Sequence, residues 1–273
     1  MSTELNATSL DTLCAALCYA MGIEAPAQAA PANQVLCDYV DKTLNGKKVD
    51  RILMYNPDAI AQWIEEKYPD QIVEVRNRAE VDVPMRAVMP SVTPVCFGTM
   101  YTGAQPEVHG IQKYTKPVIT IDTIFDALIR AGKKCAILGD TKCSLCHIFL
   151  DREMDYFPCE NVAEINAKAI ELIEKDEHDF IVVYNGNYDA KMHKYSPEGT
   201  VALGELRANS HAFALLYEMV KKYWTGHDTL VGFGMDHGCH AIVKDGELRG
   251  THADDSPEDR NIVHLYKIHP AEE

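Results

Sequence analysis

The stretch Phe180-Ile181-Val182-Val183-Tyr184-Asn185-Gly186-Asn187-Tyr188-Asp189 joins a short apolar run to a polar turn that carries an acid. A brief run of branched and aromatic residues without polar alternation reads as a strand buried on both faces. Working outward, residues 51–55, 134–138, 229–234 and 262–268 are runs of the same kind. Between them, residues 59–67, 123–131, 162–175 and 202–224 have helical spacing. Such alternation indicates an α/β fold, a mostly parallel central sheet with helices on both faces. Ligands of sheets of this kind gather outside the carboxyl ends of the strands, so those ends are where chemistry is sought.

Ahead of the first strand, residues 9–21 read as a helix with Ser9 or Asp11 near its cap, and an Ala- and Pro-rich linker follows over 25–33. A second helix over 34–44 stops at Asn45-Gly46. Residues 1–48 are therefore expected to form a small helical extension packed on a main domain spanning 49–273. A chain of 273 residues with 47% hydrophobic and 25% charged content is long enough for one large core with such an appendage.

The formal net charge is −15, from 41 acids against 26 bases. That surface repels a phosphate backbone and excludes a nucleic-acid polymer as the main partner. A small anionic substrate stays open, because a bound metal ion overrides the charge locally. No membrane span is expected: the apolar stretch 13–23 is short and broken by Tyr19 and Gly22. Glu4 and Asp11 precede it with no Lys or Arg, so the basic flank of a signal peptide is missing. Nine cysteines, an odd number, then point to reduced thiols and a cytoplasmic location.

Acids and histidines collect at the strand ends. The strand at 51–55 runs into Asn56-Pro57-Asp58, and the strand through Tyr184 runs into Asp189, with His193 four residues on. The strand at 229–234 ends in Met235-Asp236-His237-Gly238, and Gly250-Thr251-His252 stands shortly before the last strand. Each has an ordinary reading alone: Asp58 as a turn or cap, Asp189 and His193 as a surface pair, His252 as a loop residue. Asp236 and His237 are harder to dismiss, since ionisable neighbours ending a buried strand are costly without partners. Carboxylates and imidazoles together make a donor set suited to zinc, manganese or iron.

A further signal is Pro90-Ser91-Val92-Thr93-Pro94-Val95-Cys96-Phe97. Thr93-Pro94 reads as a helix N-cap followed by proline at the first helical position. A hydroxyl there lies beside free N–H groups and the positive end of the helix dipole, which favours a phosphate and a developing alkoxide. The plain reading is that Thr93 only caps its helix, and Ser91 is a second hydroxyl nearby. Cys143-Ser144-Leu145-Cys146-His147 matches a haem-attachment pattern, or a zinc knuckle with Cys159, but reads best as core cysteines acting as small apolar residues.

In order and spacing these motifs resemble the alkaline phosphatase superfamily, and most closely its phosphodiesterase/nucleotide pyrophosphatase branch. The matching residues are Asp58, Thr93, the segment 102–111 (Thr-Gly-x-x-Pro-x-x-His-Gly-Ile), Asp189 with His193, Asp236-His237-Gly238 and Gly250-x-His252. The resemblance implies an alkaline phosphatase-like fold and two divalent metal ions, Zn2+ or alternatively Mn2+. One would be held by Asp189, His193 and His252, the other by Asp58, Asp236 and His237, with Thr93 as a metal-bound nucleophile. His109 is given a structural role. The sulfatase branch is excluded, because Cys96 lacks that branch's nucleophile motif.

The implied activity is hydrolysis of a phosphoric ester in a small phosphorylated substrate. Tyr114 stands where the nucleotide pyrophosphatase branch has an Asn, which leaves a phosphomonoesterase or phosphomutase as alternatives and a metal-binding sensor as the non-enzyme one. Tyr114, Lys113 and Tyr195 are the expected substrate contacts.

Overall fold

The structure is a computed structural model and describes residues 4–272. Its first half contains α1 (Thr12–Met21), α2 (Gln34–Leu44), β1 (Arg51–Pro57), α3 (Gln62–Lys67), α4 (Val73–Arg76), β2 (Val81–Arg86), α5 (Thr93–Thr102), α6 (Pro106–His109) and α7 (Ile124–Arg130). Then follow β3 (Cys135–Asp140), α8 (Ser144–Ile148), β4 (Asp155–Cys159), α9 (Val162–Lys175), β5 (Phe180–Asn185), α10 (Asn187–Tyr195) and α11 (Thr200–Tyr223). The chain closes with β6 (Thr229–Phe233), β7 (His240–Lys244), β8 (Glu247–Thr251), α12 (Pro257–Arg260) and β9 (Asn261–His269).

Seven strands form one sheet in the order β2-β9-β6-β1-β5-β3-β4, and β7 and β8 form a separate hairpin. All of the large sheet runs parallel except β9, which is antiparallel to both neighbours. The central strands β1, β5 and β6 are buried along nearly their whole length, as the unbroken apolar runs predict. On one face Phe180 and Tyr184 meet Tyr101 and Phe97 of α5. Asn185, one residue on and so on the opposite face, bonds Tyr55 and Asn166 of α9, and Tyr55 packs on Phe213 of α11. Helices thus cover both faces of the mostly parallel sheet. The α1 residues Leu13, Cys14, Ala16, Leu17 and Cys18 are fully buried, and α1 packs on α2, α5 and α7.

Three local differences from the sequence reading have physical causes. Helix α1 starts at Thr12 rather than residue 9, because Ser9 bridges to Arg86 and the Leu10 N–H bonds the Arg86 carbonyl. Helix α3 starts at Gln62 rather than residue 59, because Ala59 adopts a left-handed φ of 63° and turns the chain after Asp58. Strands β2 and β4 lie at the sheet edges, where half-exposed, Pro-containing sequences are tolerated.

Candidate active site

The carboxyl ends of β1, β5 and β6 lie side by side, and β9 enters the sheet from the same edge because it runs the other way. This topology gathers the residues singled out from the sequence into two clusters. Asp58, Asp236 and His237 form one, completely buried; Asp189, His193 and His252 form the other, partly open. His237 Nε2 lies 3.5 Å from Asp58 Oδ1 and 3.4 Å from Asp236 Oδ2. Asp189 Oδ1 lies 3.2 Å from His193 Nε2 and 3.6 Å from His252 Nε2.

Backbone carbonyls orient all three imidazoles. The Nδ1–H groups of His237, His193 and His252 donate to the carbonyls of Gly238 (2.9 Å), Gly250 (3.0 Å) and Ser91 (2.9 Å). Every Nε2 lone pair is thereby turned toward the carboxylates, as outer hydrogen bonds do for metal-binding histidines. Asp236 is fixed in a similar way: its Oδ1 accepts from the Ala59 and His237 N–H groups, and its Oδ2 is left facing the cluster.

Glycines set the loop geometry. A Cβ on Gly238 would stand 2.2 Å from the Glu258 carbonyl oxygen, and one on Gly250 would stand 2.5 Å from the Met192 carbonyl oxygen. The first contact seats the Asp236-His237 loop; the second presses β8 onto α10 and so brings His252 beside His193.

Asp58 Oδ1, Asp189 Oδ1, Asp236 Oδ2 and His237 Nε2 are buried atoms without hydrogen-bond partners. Unpaired buried carboxylates are costly, and burial with mutual repulsion pushes the Asp58 carboxyl well above its ordinary value and the Asp236 carboxyl above it. Burial also pushes Asp189 up, but the His193, His237 and His252 imidazoles beside it hold it below its ordinary range. Donors around one tetrahedral ion with bonds near 2 Å stand about 3.3 Å apart. The separations of 3.2 to 3.6 Å within the clusters fit that spacing. The residues present fit divalent cations.

Thr93 is buried at the start of α5, and its hydroxyl donates to Asp58 Oδ2 at 3.3 Å. The helix N-cap is Val92, not Thr93, and the Thr93 side chain makes no capping bond. Proline stands second in the helix, and the Val95 and Cys96 N–H groups bond the Val92 carbonyl, so the free N–H of this turn is that of Thr93 itself. The hydroxyl is thus directed into the acidic cluster. Ser91 is also buried, but its Oγ has no partner, and its contribution to the cluster is the carbonyl that holds His252.

Asp58, Thr93 and Asp189 open onto a cavity of about 680 Å³. Of the expected substrate contacts, Tyr114 lines this cavity, whereas Lys113 and Tyr195 are exposed and outside its walls. Tyr184, Lys116, Lys142, Lys191 and Asn187, given no role one by one from the sequence, also line it; the lysines fall in the loops 112–117, 141–158 and 191–200, which the sequence offers as the ones that set specificity. Tyr184 was visible as a strand-end aromatic; its phenol donates to Asp58 Oδ2. The lysines carry no local pattern that separates them from surface lysines.

The remaining motifs fall into place around this site. His109 is buried, with Nε2 bonded to the Thr99 hydroxyl at 3.0 Å and Nδ1 accepting from the Ile111 N–H at 3.3 Å. Cys143, Cys146 and Cys159 are buried free thiols, and among the described residues no metal-capable group includes them. No helix among the described residues is long and apolar enough to cross a membrane.

Residues 57–119 match the family described as Type I phosphodiesterase / nucleotide pyrophosphatase. No curated protein matches the chain by sequence. Among solved structures, murine ectonucleotide pyrophosphatase / phosphodiesterase 5 is similar at 18% identity and a TM-score of 0.57, covering 71% of this chain and 58% of that one. An inactive threonine-to-alanine variant of the murine protein in complex with AMP gives 17% identity, the same TM-score of 0.57, and coverage of 71% and 59%. Phosphonoacetate hydrolase from Sinorhizobium meliloti 1021, in complex with phosphonoformate, gives 18% identity and a TM-score of 0.54, covering 74% and 60%. The chain spans less than two thirds of the length of each of these neighbours. Residues 57–119 thus resemble the Type I phosphodiesterase / nucleotide pyrophosphatase family, and the chain shares its fold with the ectonucleotide pyrophosphatase / phosphodiesterase and phosphonoacetate hydrolase structures.

Proposed function

We propose that the protein is a phosphoric ester hydrolase of the phosphodiesterase/nucleotide pyrophosphatase type, acting on a small phosphorylated substrate through Thr93. The observation that carries this reading is the Thr93 hydroxyl, buried, released from capping and bonded to Asp58 Oδ2 between two donor clusters. The inactive threonine variant of the murine neighbour and its AMP complex support a threonine in this role and a phosphorylated ligand at such a site.

In this reading Asp58, Asp236 and His237 hold one divalent cation and Asp189, His193 and His252 a second, with zinc matching the mixed carboxylate and imidazole set. When bound, the cations would supply Lewis-acid stabilisation of negative charge on the reacting oxygens. The chain's own residues do the rest. Asp58 Oδ2 holds the Thr93 hydroxyl in one rotamer, and Tyr184 holds Asp58. The Thr93 oxygen forms a bond to phosphorus as the bond to the leaving-group oxygen breaks. Water then cleaves the phosphothreonine ester, returning the hydroxyl and releasing phosphate or a phosphate monoester. The nine free cysteines, all buried, support a reducing compartment such as the cytoplasm.

The test compares hydrolysis of p-nitrophenyl phosphate and bis-p-nitrophenyl phosphate by zinc- or manganese-loaded protein with that by Thr93→Ala. Thr93-dependent cleavage, faster on the diester, is the expected result. Faster cleavage of the monoester moves the assignment to a phosphomonoesterase. Equal turnover by Thr93→Ala removes Thr93 as the nucleophile.

A further inference from the structure

The segment Cys143-Ser144-Leu145-Cys146-His147 has no part in the chemistry above, yet it follows the carboxyl end of β3 and borders the cavity in front of Thr93. Strand β3 ends at Asp140, and the turn after it is pinned by the Cys143 N–H on the Asp140 carbonyl at 2.9 Å. Cys143 is then the N-cap of α8, its sulfur accepting from the Cys146 N–H at 3.2 Å. Residues three apart at a helix start share a face, so the two thiols are brought together. Both reach the same gap: a Cβ on Gly139 would stand 2.8 Å from Cys143 Sγ and 3.1 Å from Cys146 Sγ. The neighbouring Cys143 thiol, and then burial, push the Cys146 thiol up, in keeping with two sulfurs side by side.

Access separates this pair from the other thiols. Cys14 and Cys18 also lie together, one turn apart on α1, but neither has any exposed surface. Cys143 lines the cavity and Cys146 does not, so Cys143 is the sulfur that a solute in the cavity meets. His147 Nε2 bonds the Thr141 carbonyl at 3.2 Å and the Cys159 thiol bonds the Phe157 carbonyl at 3.5 Å. Neither joins the pair, which leaves two sulfurs facing each other without a third donor. The gap at Gly139 has one more occupant: Tyr184 Cδ1 stands 3.5 Å from the same Cβ position, and its phenol holds Asp58.

We propose that Cys143 and Cys146 are a reversible redox pair, which closes to a disulfide when a small disulfide-bearing solute enters the cavity. The Cys143 thiolate bonds to one sulfur of the solute as the solute's S–S bond breaks, and the released thiolate takes up a proton. The Cys146 thiolate then bonds to Cys143 Sγ and displaces the second thiol. The protein gives up two electrons and two protons, and the solute becomes two thiols. Closure draws the sulfurs to about 2.05 Å, so the Tyr184 ring repacks in the gap and its phenol shifts on Asp58. The effect on turnover rests on the hydrolase reading above; the disulfide itself does not.

The probe is 2-hydroxyethyl disulfide, neutral and so indifferent to the charges on the wall, added to the native full chain. Remaining thiols are then alkylated under denaturing conditions and the peptides weighed. The expected result is a disulfide between Cys143 and Cys146 that tris(2-carboxyethyl)phosphine reverses, with the other cysteines alkylated. Cys146→Ser is expected to keep one mercaptoethanol unit on Cys143, and Cys143→Ser to carry none on Cys146. A 143–146 peptide alkylated twice after oxidant, or a bond formed only in urea, overturns the pair. Mercaptoethanol on Cys146 of Cys143→Ser, with none on Cys143 of Cys146→Ser, overturns the order of attack. Closure is expected to lower kcat of the manganese-loaded protein on bis-p-nitrophenyl phosphate at least about threefold, and the phosphine to restore it. Cys143→Ser/Cys146→Ser is expected to ignore the oxidant. Calorimetric manganese affinity reads the Asp58 cluster without turnover, and a closed pair with unchanged affinity and kcat overturns the link through Tyr184. Closure with weakened manganese binding, in a protein that hydrolyses neither nitrophenyl ester when reduced, keeps the pair and its link and overturns the hydrolase.

Discussion

The Tyr184 phenol donates to Asp58 Oδ2, the carboxylate oxygen that also accepts from the Thr93 hydroxyl. Two hydroxyls on one oxygen fix the carboxylate and the threonine against each other. The tyrosine ring is held edge-on by Phe97, and its hydroxyl fills the space left by Gly186, so the phenol has little freedom to turn away. Tyr184→Phe keeps the packing and removes one hydrogen bond to a charged group, a loss of about 1.5 to 3 kcal/mol. The expected outcome is a 10- to 100-fold lower kcat with unchanged circular dichroism, on the same scale. An unchanged kcat would mean that Asp58 needs no help from the phenol.

Cation binding is expected to appear first as stability. The cluster of Asp58, Asp236 and His237 is buried and carries unpartnered acceptors, a cost that only the folded state bears. A divalent ion that binds the folded state alone adds about 2.7 kcal/mol at a hundred times its Kd. Zinc or manganese is therefore expected to raise the Tm, and a chelator to lower it. Asp236→Asn should shrink that difference. Scanning calorimetry with and without chelator measures it, and identical Tm values would count against a cation at this cluster.

Gly238→Ala tests the loop that carries His237. The new Cβ would meet backbone, the Glu258 carbonyl, at 2.2 Å, as well as Ala61. Backbone on both sides leaves no flexible tip to move aside. The substitution is expected to cost about 2 to 3 kcal/mol, read as a lower urea midpoint, and to weaken metal retention. A midpoint equal to wild type would show that the loop has room to shift.

His109 gives a pH signature away from the two donor clusters. Its Nδ1 accepts from Ile111, which requires a neutral ring, and burial pushes its pKa down to about 4 from an ordinary 6.5. Between those values the unfolded chain binds a proton that the folded chain does not. This residue's contribution to stability is therefore complete above about pH 6.5 and is lost as the pH falls toward 4, by on the order of 3 kcal/mol. Urea titrations at pH 7 and pH 4.5 are expected to show a steeper acid loss in wild type than in His109→Gln. Equal slopes would show that His109 titrates normally.

Much of this was legible in the sequence because the central strands are uninterrupted apolar runs and the donors follow directly on them. Asp58, Asp189 and Asp236 needed only the direction of β1, β5 and β6 to be placed together. His252 was harder to place. It reaches the site through the β7–β8 hairpin, whose exposed strands turn on Asp245-Gly246 and read as loop. Thr93 was found by its proline but assigned the cap position, one residue too late, since the extended Val92 supplies the cap without a side chain. The lysines of the cavity wall come from three separate segments, and only the tertiary fold shows that they face one space.

The two donor clusters are anchored in different ways. Asp58, Asp236 and His237 sit on the turns that follow the central strands β1 and β6, whereas His252 follows a two-stranded hairpin braced by Gly250 on α10. A hairpin opens at far less cost than a central sheet. Opening of the hairpin would displace His252 alone and leave the sheet folded. An ion at the outer cluster would lose one of its three donors when the hairpin opens, while the donors of the inner cluster would stay in place.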